Sequence, residues 1–275
     1  MRIFKKIIKA ILIVCLTLMI IIATAIKILS STIMDEAYMF RKLRANDYYS
    51  NIYKELKQNF ENYIGPSGLD ESILDDICTE EDLQNDTEII LGNIYEGTGK
   101  KVDTSAIKDR LKKRIEQSLA STNVTDKTKE NINQFIEQIS DEYISTISHT
   151  EYEDTIYNVY SKSKKIIKLA KLGYGISIAT IMALLVLINF KRLRKALKNI
   201  GISFTSSGLF MLLGYNILNY NIKVEHLRIL NDSISIVLQS IVKDIFGKLN
   251  YAGIGLTVVG IILIILGNFL RKEKK

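Results

Sequence analysis

Four stretches of the chain carry no charged residue for long enough to matter to a bilayer: residues 10–26, 172–190, 199–221 and 249–270. A hydrocarbon core of about 30 Å needs about 20 helical residues to cross it. The first stretch reaches that length when its apolar continuation to Ser30 is counted, with Lys27 as the only charge. In lipid, backbone amides and carbonyls have no water to bond, so each stretch must form a helix. The third is the most polar. Its Thr205, Ser206, Ser207 and Asn216 need partners on neighbouring helices.

Between the first two stretches the pattern turns amphipathic. Asn46-Asp47 predicts a helix start, with the helix running to Ile64 and stopping at Gly65-Pro66-Ser67-Gly68. Residues 69–77 fit a short helix. Thr79-Glu80-Glu81-Asp82 has the form of a capping box. Leu83, Thr87, Ile90, Leu91 and Ile94 then share one face ahead of Gly97 and Gly99. Ile107, Leu111, Ile115 and Leu119 recur every fourth residue after a cap at 103–105. Ile132, Phe135, Ile136, Ile139, Tyr143 and Ile147 make the clearest stripe, which Tyr152, Ile156, Val159, Tyr160 and Ile167 extend toward the second apolar stretch. Leu227, Leu230, Ile234, Val237, Leu238, Ile241, Ile245 and Leu249 predict another amphipathic helix between the third and fourth stretches. It is expected to dock on the large domain rather than lie on the bilayer. Strand alternation is absent, so the predicted fold is all-α: four transmembrane helices plus an all-helical extracytoplasmic domain.

Charge sets the predicted orientation. Arg2, Lys5, Lys6 and Lys9 precede the first stretch. Lys191, Arg192, Arg194, Lys195 and Lys198 separate the second from the third, and Arg271, Lys272, Lys274 and Lys275 end the chain. These short flanks contain one acid, Glu273, and the rest of the chain is net negative. The net charge of +7 is therefore a membrane-flanking feature and not a nucleic-acid footprint. By the positive-inside bias both termini are cytoplasmic. Residues 1–9 form the cytoplasmic N-terminus, 10–30 the first span and 31–171 the extracytoplasmic helical domain. Residues 172–190 form the second span, 191–198 a basic cytoplasmic loop and 199–221 the third span. The amphipathic outer helix takes 222–248, the fourth span 249–270 and the cytoplasmic tail 271–275. Lys162, Lys164, Lys165, Lys168 and Lys171 point the other way, but they adjoin a long segment, which translocates largely regardless of charge. They read as a headgroup-facing collar. The first stretch has a second reading as a cleaved signal peptide, with Ala23-Thr24-Ala25 as the small-residue site. The continuing apolar run through Ile26, Ile28 and Leu29 favours a retained span.

Little conventional chemistry is present. Cys15 and Cys78 fall in different regions, so no internal disulfide framework forms. His149 and His226, the only histidines, lack metal-ligand spacing. Gly97-Thr98-Gly99-Lys100 lacks the glycine spacing of a phosphate loop and reads as a helix C-cap and turn. Asp75-Asp76 and Glu80-Glu81-Asp82 read as helix-start and solubility features. The sequons at Asn85, Asn123 and Asn231 matter only in a eukaryotic secretory pathway. No catalytic residue, cofactor or metal site is expected. The uncharged stretches hold no Asp, Glu, Lys, Arg or His, which disfavours an ion or proton relay. They hold small residues instead. Gly201 and Thr205, Ser203 and Ser207, and Gly253 and Thr257 are four apart, with Gly260 and Gly267 further along the last helix. This spacing suits helix packing inside the bundle, and also a homo-oligomer seam. Gly173-Tyr174-Gly175 reads as a flexible joint at the second span. Most of the tyrosines between residues 38 and 160 fit a core with hydroxyls at its rim. Tyr48, Tyr49 and Tyr53 adjoin polar positions and are the candidates for an outer interface.

Two stretches carry a resemblance. Residues 190–201, Phe-Lys-Arg-Leu-Arg-Lys-Ala-Leu-Lys-Asn-Ile-Gly, and residues 253–271 with their Gly- and Ile/Leu-rich end resemble uncharacterised four-span bacterial membrane proteins with a large helical outer domain. Residues 91–111 are similar to the corresponding outer region of that group. Abundant Ile, Lys and Asn also suit an AT-rich bacterial genome. The group has no established activity to carry over. The expected function is a non-enzymatic cell-envelope protein of the plasma membrane, whose outer domain binds a protein, peptide or envelope ligand. Its partners would be membrane lipid, a protein on the outer domain and a second copy of itself. The alternative is a transport-system subunit, since the span order is similar to the cell-division and macrolide-export type of ABC permease. The short cytoplasmic segments leave little to couple to an ATPase.

Overall fold

The structure, a computed structural model, describes residues 2–67, 70–119, 126–148, 150–226 and 232–269. Among these residues there is no strand. The helices in chain order are α1 (Arg2–Ser30), α2 (Glu36–Ala45), α3 (Tyr48–Ser67), α4 (Glu80–Glu96), α5 (Ser105–Ser118), α6 (Asp126–Ile147), α7 (Thr150–Ile188), α8 (Leu193–Asn221) and α9 (Asp232–Phe269), with 3-10 turns at Glu71–Leu74, Phe190–Arg192 and Val224–His226. Among the described residues, four segments are long and apolar enough to cross a membrane: Ile3–Ser30, Tyr157–Ile188, Leu193–Asn221 and Asp232–Phe269.

Helical continuity exceeds the sequence expectation in three places. The amphipathic segment before the fourth apolar stretch is, from Asp232 onward, the first half of α9 and not a separate helix. Leu227, Leu230 and Asn231 lie outside the described residues. Gly173-Tyr174-Gly175 lies inside an unbroken α7 and forms no joint. An isolated glycine costs about 1 kcal/mol against alanine but leaves the i→i−4 hydrogen bonds intact, so it weakens a long helix without ending it. Finally, α8 opens at Leu193, so Arg194, Lys195 and Lys198 of the basic segment are helical. The turn before it is tight. Buried Asn189 donates its side-chain amide to Leu185 O at 2.7 Å and accepts from Arg192 N at 2.6 Å.

The chain divides into two units, Met1–Met39 with Ser163–Lys275, and Phe40–Lys162. In the first, Leu16 and Ile20 of α1, Leu185 of α7 and Ile200 of α8 form a buried cluster, with Phe204 and Leu263 packed against it. Many other large apolar side chains face outward, among them Ile11, Leu18, Leu172, Leu187, Phe210, Ile217 and Ile262. Beyond Ser30 the chain is tied to α9. Tyr38 donates to Asp244 at 2.9 Å, and Lys248 donates to Ser31 O at 3.1 Å while its ammonium stands 4.8 Å from the Tyr38 ring centre.

The second unit has its own core. Tyr48, Ile52, Leu56, Phe60 and Ile64 recur every fourth residue on α3, and all are buried. The helix packs on α4 and α6, and α5 packs on α6, with its Ile107, Leu111 and Ile115 buried. Burying each such side chain contributes about 1.5–3 kcal/mol before entropy is counted. On α4 the fifth buried position is Tyr95, with Ile94 only half-buried. The helix α3 continues through Gly65 and Pro66 to Ser67; Gly68 and Leu69 lie outside the described residues. Over 70–77, where the sequence predicts a helix, there is one 3-10 turn. Asp70 caps it by accepting from Ser72 N at 2.9 Å, and Ile73, Leu74, Ile77 and Cys78 fill the core beneath.

Candidate functional site

Two arrangements of functional side chains stand out, one in each unit. In Phe40–Lys162 the capping box forms as the sequence predicts. Asp82 N donates to Thr79 Oγ1 at 3.1 Å, and Thr79 N donates to Asp82 Oδ2 at 2.8 Å. The same carboxylate oxygen accepts from Arg110 of α5 at 2.8 Å. One turn along α4, Asp86 accepts from the hydroxyl of fully buried Tyr143 at 2.5 Å. The two carboxyls are pushed apart. Burial works upward on Asp82, but the hydrogen bonds from Arg110 and Thr79 outweigh it and hold the group below the usual aspartate range. On Asp86 burial wins, helped by the charges of Asp82 and Asp103 against the Tyr143 hydrogen bond, and the group is raised. Burial also pushes the Cys78 thiol up to about 12, so it is an inert core group. Across α3 and α6, Glu142 accepts from Asn59 at 2.8 Å and from Tyr63 at 2.9 Å. Lys108 and Glu137 tie α5 to α6 at 2.6 Å. These carboxylates serve helix starts and interhelix contacts.

The outer interface expected from Tyr48, Tyr49 and Tyr53 is corrected at Tyr48 and Tyr49 by their burial. Tyr48 is 5% exposed and Tyr49 7%, so neither offers a ring to a partner. They meet edge to face at 5.5 Å. Both rings fall on the α3 face that continues to Ile52 and Leu56, and helical periodicity outweighs their polar neighbours in sequence. Burial raises the Tyr48 phenol to about 12. The Tyr49 hydroxyl is buried with no hydrogen-bond partner among the described residues. Tyr53 alone is half-exposed. The Gly97–Lys100 segment is the expected C-cap. Gly97 adopts φ 69°, and a β-carbon there would strike the Tyr157 ring. Asn93 ties the turn by accepting from Thr98 Oγ1 and Lys100 N and donating to Lys100 O. His149 lies outside the described residues, and among the described residues no group of acids, histidines or cysteines could hold a metal.

In the other unit the six small residues singled out for packing meet two different neighbours. Gly201, Gly208 and Thr205 on α8 face Gly260, Gly253 and Thr257 on α9. A β-carbon on Gly201 would stand 2.7 Å from Gly260 O, and one on Gly208 would stand 2.6 Å from Gly253 O and against Thr257 Oγ1. Gly267 approaches Arg194 O in the same way. The contacts pair rising α8 numbers with falling α9 numbers, so the helices are antiparallel. Gly253, Gly260 and Gly267 are seven apart, as are Gly201 and Gly208. A seven-residue repeat keeps one seam of each helix against its partner along the whole contact. Glycine at each repeat lets the backbones approach more closely than a β-carbon would allow. Ser203 and Ser207 point to α1 instead. They donate to Ile13 O at 3.1 Å and to Thr17 O at 3.0 Å. Gly208 was not among the predicted packing residues. The signal that identifies it is the sevenfold glycine repeat rather than the fourfold small-residue spacing.

No family model matches the chain, and neither a curated protein nor a solved structure does.

Proposed function

We propose that the chain is a non-enzymatic, multi-pass protein of a bacterial plasma membrane. Both termini are cytoplasmic, the unit Phe40–Lys162 is extracytoplasmic, and that helical unit binds a protein, peptide or envelope ligand. One observation supports this most: a polar helical unit with its own core is carried on a chain that has four membrane-length apolar helices. The ionisable side chains of that unit with a defined partner are engaged in capping and interhelix contacts, which suits a rigid recognition module. The orientation rests on the cations crowding the short flanks.

The test uses single cysteines in a background lacking Cys15 and Cys78. A membrane-impermeant maleimide applied to intact cells should label Lys113→Cys, and should label Leu193→Cys only after permeabilisation. The reverse pattern removes the orientation. A photo-crosslinker in place of half-exposed Tyr53, followed by purification from native membranes, should give one recurrent heterologous adduct. Co-purification of an ATPase would replace the reading with the transport-subunit alternative.

A further inference from the structure

A cleft of about 430 Å³ opens where α8 ends and α9 approaches its apolar stretch. Its walls come from the unit that holds the four long apolar helices. Tyr215 and Phe246 supply aromatic lining, and Gly247 leaves space: a β-carbon there would meet nothing within 4 Å. Lys223 and Lys243 stand at its exposed rim, and neither forms an ion pair with a described residue. Glu225 shares the rim, with its backbone carbonyl taken by Gln239 at 3.4 Å.

The position of the cleft matters as much as its content. The uncharged run of α8 ends at Asn221 and that of α9 begins at Leu249, so the cleft falls where both helices change from apolar to polar. In a bilayer that is headgroup depth, where lysine ammoniums reach phosphate while their stems cover apolar surface. Two ammoniums and one carboxylate leave a single excess positive charge, matching one phosphodiester. Below the rim, outward-facing Ile217 and Leu213 continue the α8 surface toward acyl-chain depth.

We propose that this cleft binds the phosphodiester headgroup of an anionic glycerophospholipid, with the phosphate between Lys223 and Lys243 and the glycerol against Tyr215 and Phe246. The proposal rests on these helices spanning a bilayer. The full chain would be reconstituted in nanodiscs of phosphatidylglycerol and phosphatidylcholine, and lipid retained on release would be counted by native mass spectrometry. The wild type should retain phosphatidylglycerol in preference. The double variant Lys223→Gln/Lys243→Gln should lose about tenfold of that retention. Gly247→Leu, which fills the cleft without changing charge, should lose it as well. Equal retention by all three proteins would overturn the proposal. Displacement by inorganic phosphate at matched concentration would also overturn it, by assigning the cleft to a free anion. Flotation with liposomes tests the spanning itself: a chain that fails to float removes both readings, whereas one that floats without preferential retention removes only this one.

Discussion

Two buried tyrosine hydroxyls in the Phe40–Lys162 unit should respond oppositely to the same deletion. Tyr143 donates to the Asp86 carboxylate, whereas the Tyr49 hydroxyl has no partner among the described residues. A hydrogen bond to a charged group contributes about 1.5–3 kcal/mol, while an unsatisfied buried hydroxyl is a cost. Tyr143→Phe should therefore destabilise by about that amount. Tyr49→Phe should be neutral or stabilise by about 1 kcal/mol. Thermal unfolding of the purified chain reads both, and a larger loss from Tyr49→Phe than from Tyr143→Phe would contradict the assignment. The aspartates add a pH dependence. Asp86 is raised in the folded state, so its contribution is full below the ordinary value of 3.8 and is lost as pH rises through the folded value. Asp82 is lowered, so its contribution is present above that value and lost as pH falls through the folded one. Asp86→Asn keeps an acceptor for Tyr143 and removes the charge. Its stability gain over the wild type should appear at pH 7 and vanish at pH 3.5; a gain that grows on acidification would rule the account out. Asp82 was legible as a cap because capping is local. Asp86 was not, since its partner lies on α6 and only tertiary packing brings it there.

At the scale of elements, the α8–α9 seam makes the sharpest claim. Gly208 faces the fixed backbone of Gly253 and the side chain of Thr257, whereas a β-carbon on Gly255, on the same α9 helix, would meet nothing within 4 Å. Gly208→Val should force the helices apart at a cost of about 1–3 kcal/mol. Gly255→Ala should be neutral, or stabilising by up to about 1 kcal/mol through helix propensity. Melting in detergent followed by size-exclusion profile distinguishes them, and equal shifts would dissolve the seam. Ser203→Ala and Ser207→Ala each remove one bond to α1 and should cost about 0.6 kcal/mol apiece. The helices themselves were readable from sequence because their apolar periods are long and few prolines or strand patterns compete. The division of labour was not. Small residues four apart announce close packing, but whether Ser203 and Gly201 meet the same neighbour depends on which helix lies on each side of α8. Helix ends were the least legible. Gly173 and Gly175 look like breakers in one dimension, yet such glycines do not interrupt a helix whose hydrogen bonds run through them.

For the whole molecule, the sequence offers two basic clusters with opposite implications, and the proposed orientation requires that only one of them matters. Lys191, Arg192, Arg194, Lys195 and Lys198 lie between the second and third apolar stretches, partly within the first turns of α8. Lys162, Lys164, Lys165, Lys168 and Lys171 lie on α7 ahead of its apolar stretch. Positive charge acts strongly on short connections and weakly on segments that adjoin a long translocated region. Each insertion penalty is modest, so removing five charges from a short connection should not abolish insertion but should divide the molecules between two orientations. With Lys275→Cys as the reporter in a background lacking Cys15 and Cys78, the unaltered clusters should protect the tail from an impermeant maleimide in intact cells. Changing the five residues of the 191–198 cluster to Gln should expose the tail in a measurable fraction of molecules. Changing the five lysines of α7 to Gln should leave it protected. If the α7 substitutions expose the tail and the 191–198 substitutions do not, the long segment governs topology, and the assignment of Phe40–Lys162 to the outer face falls with it.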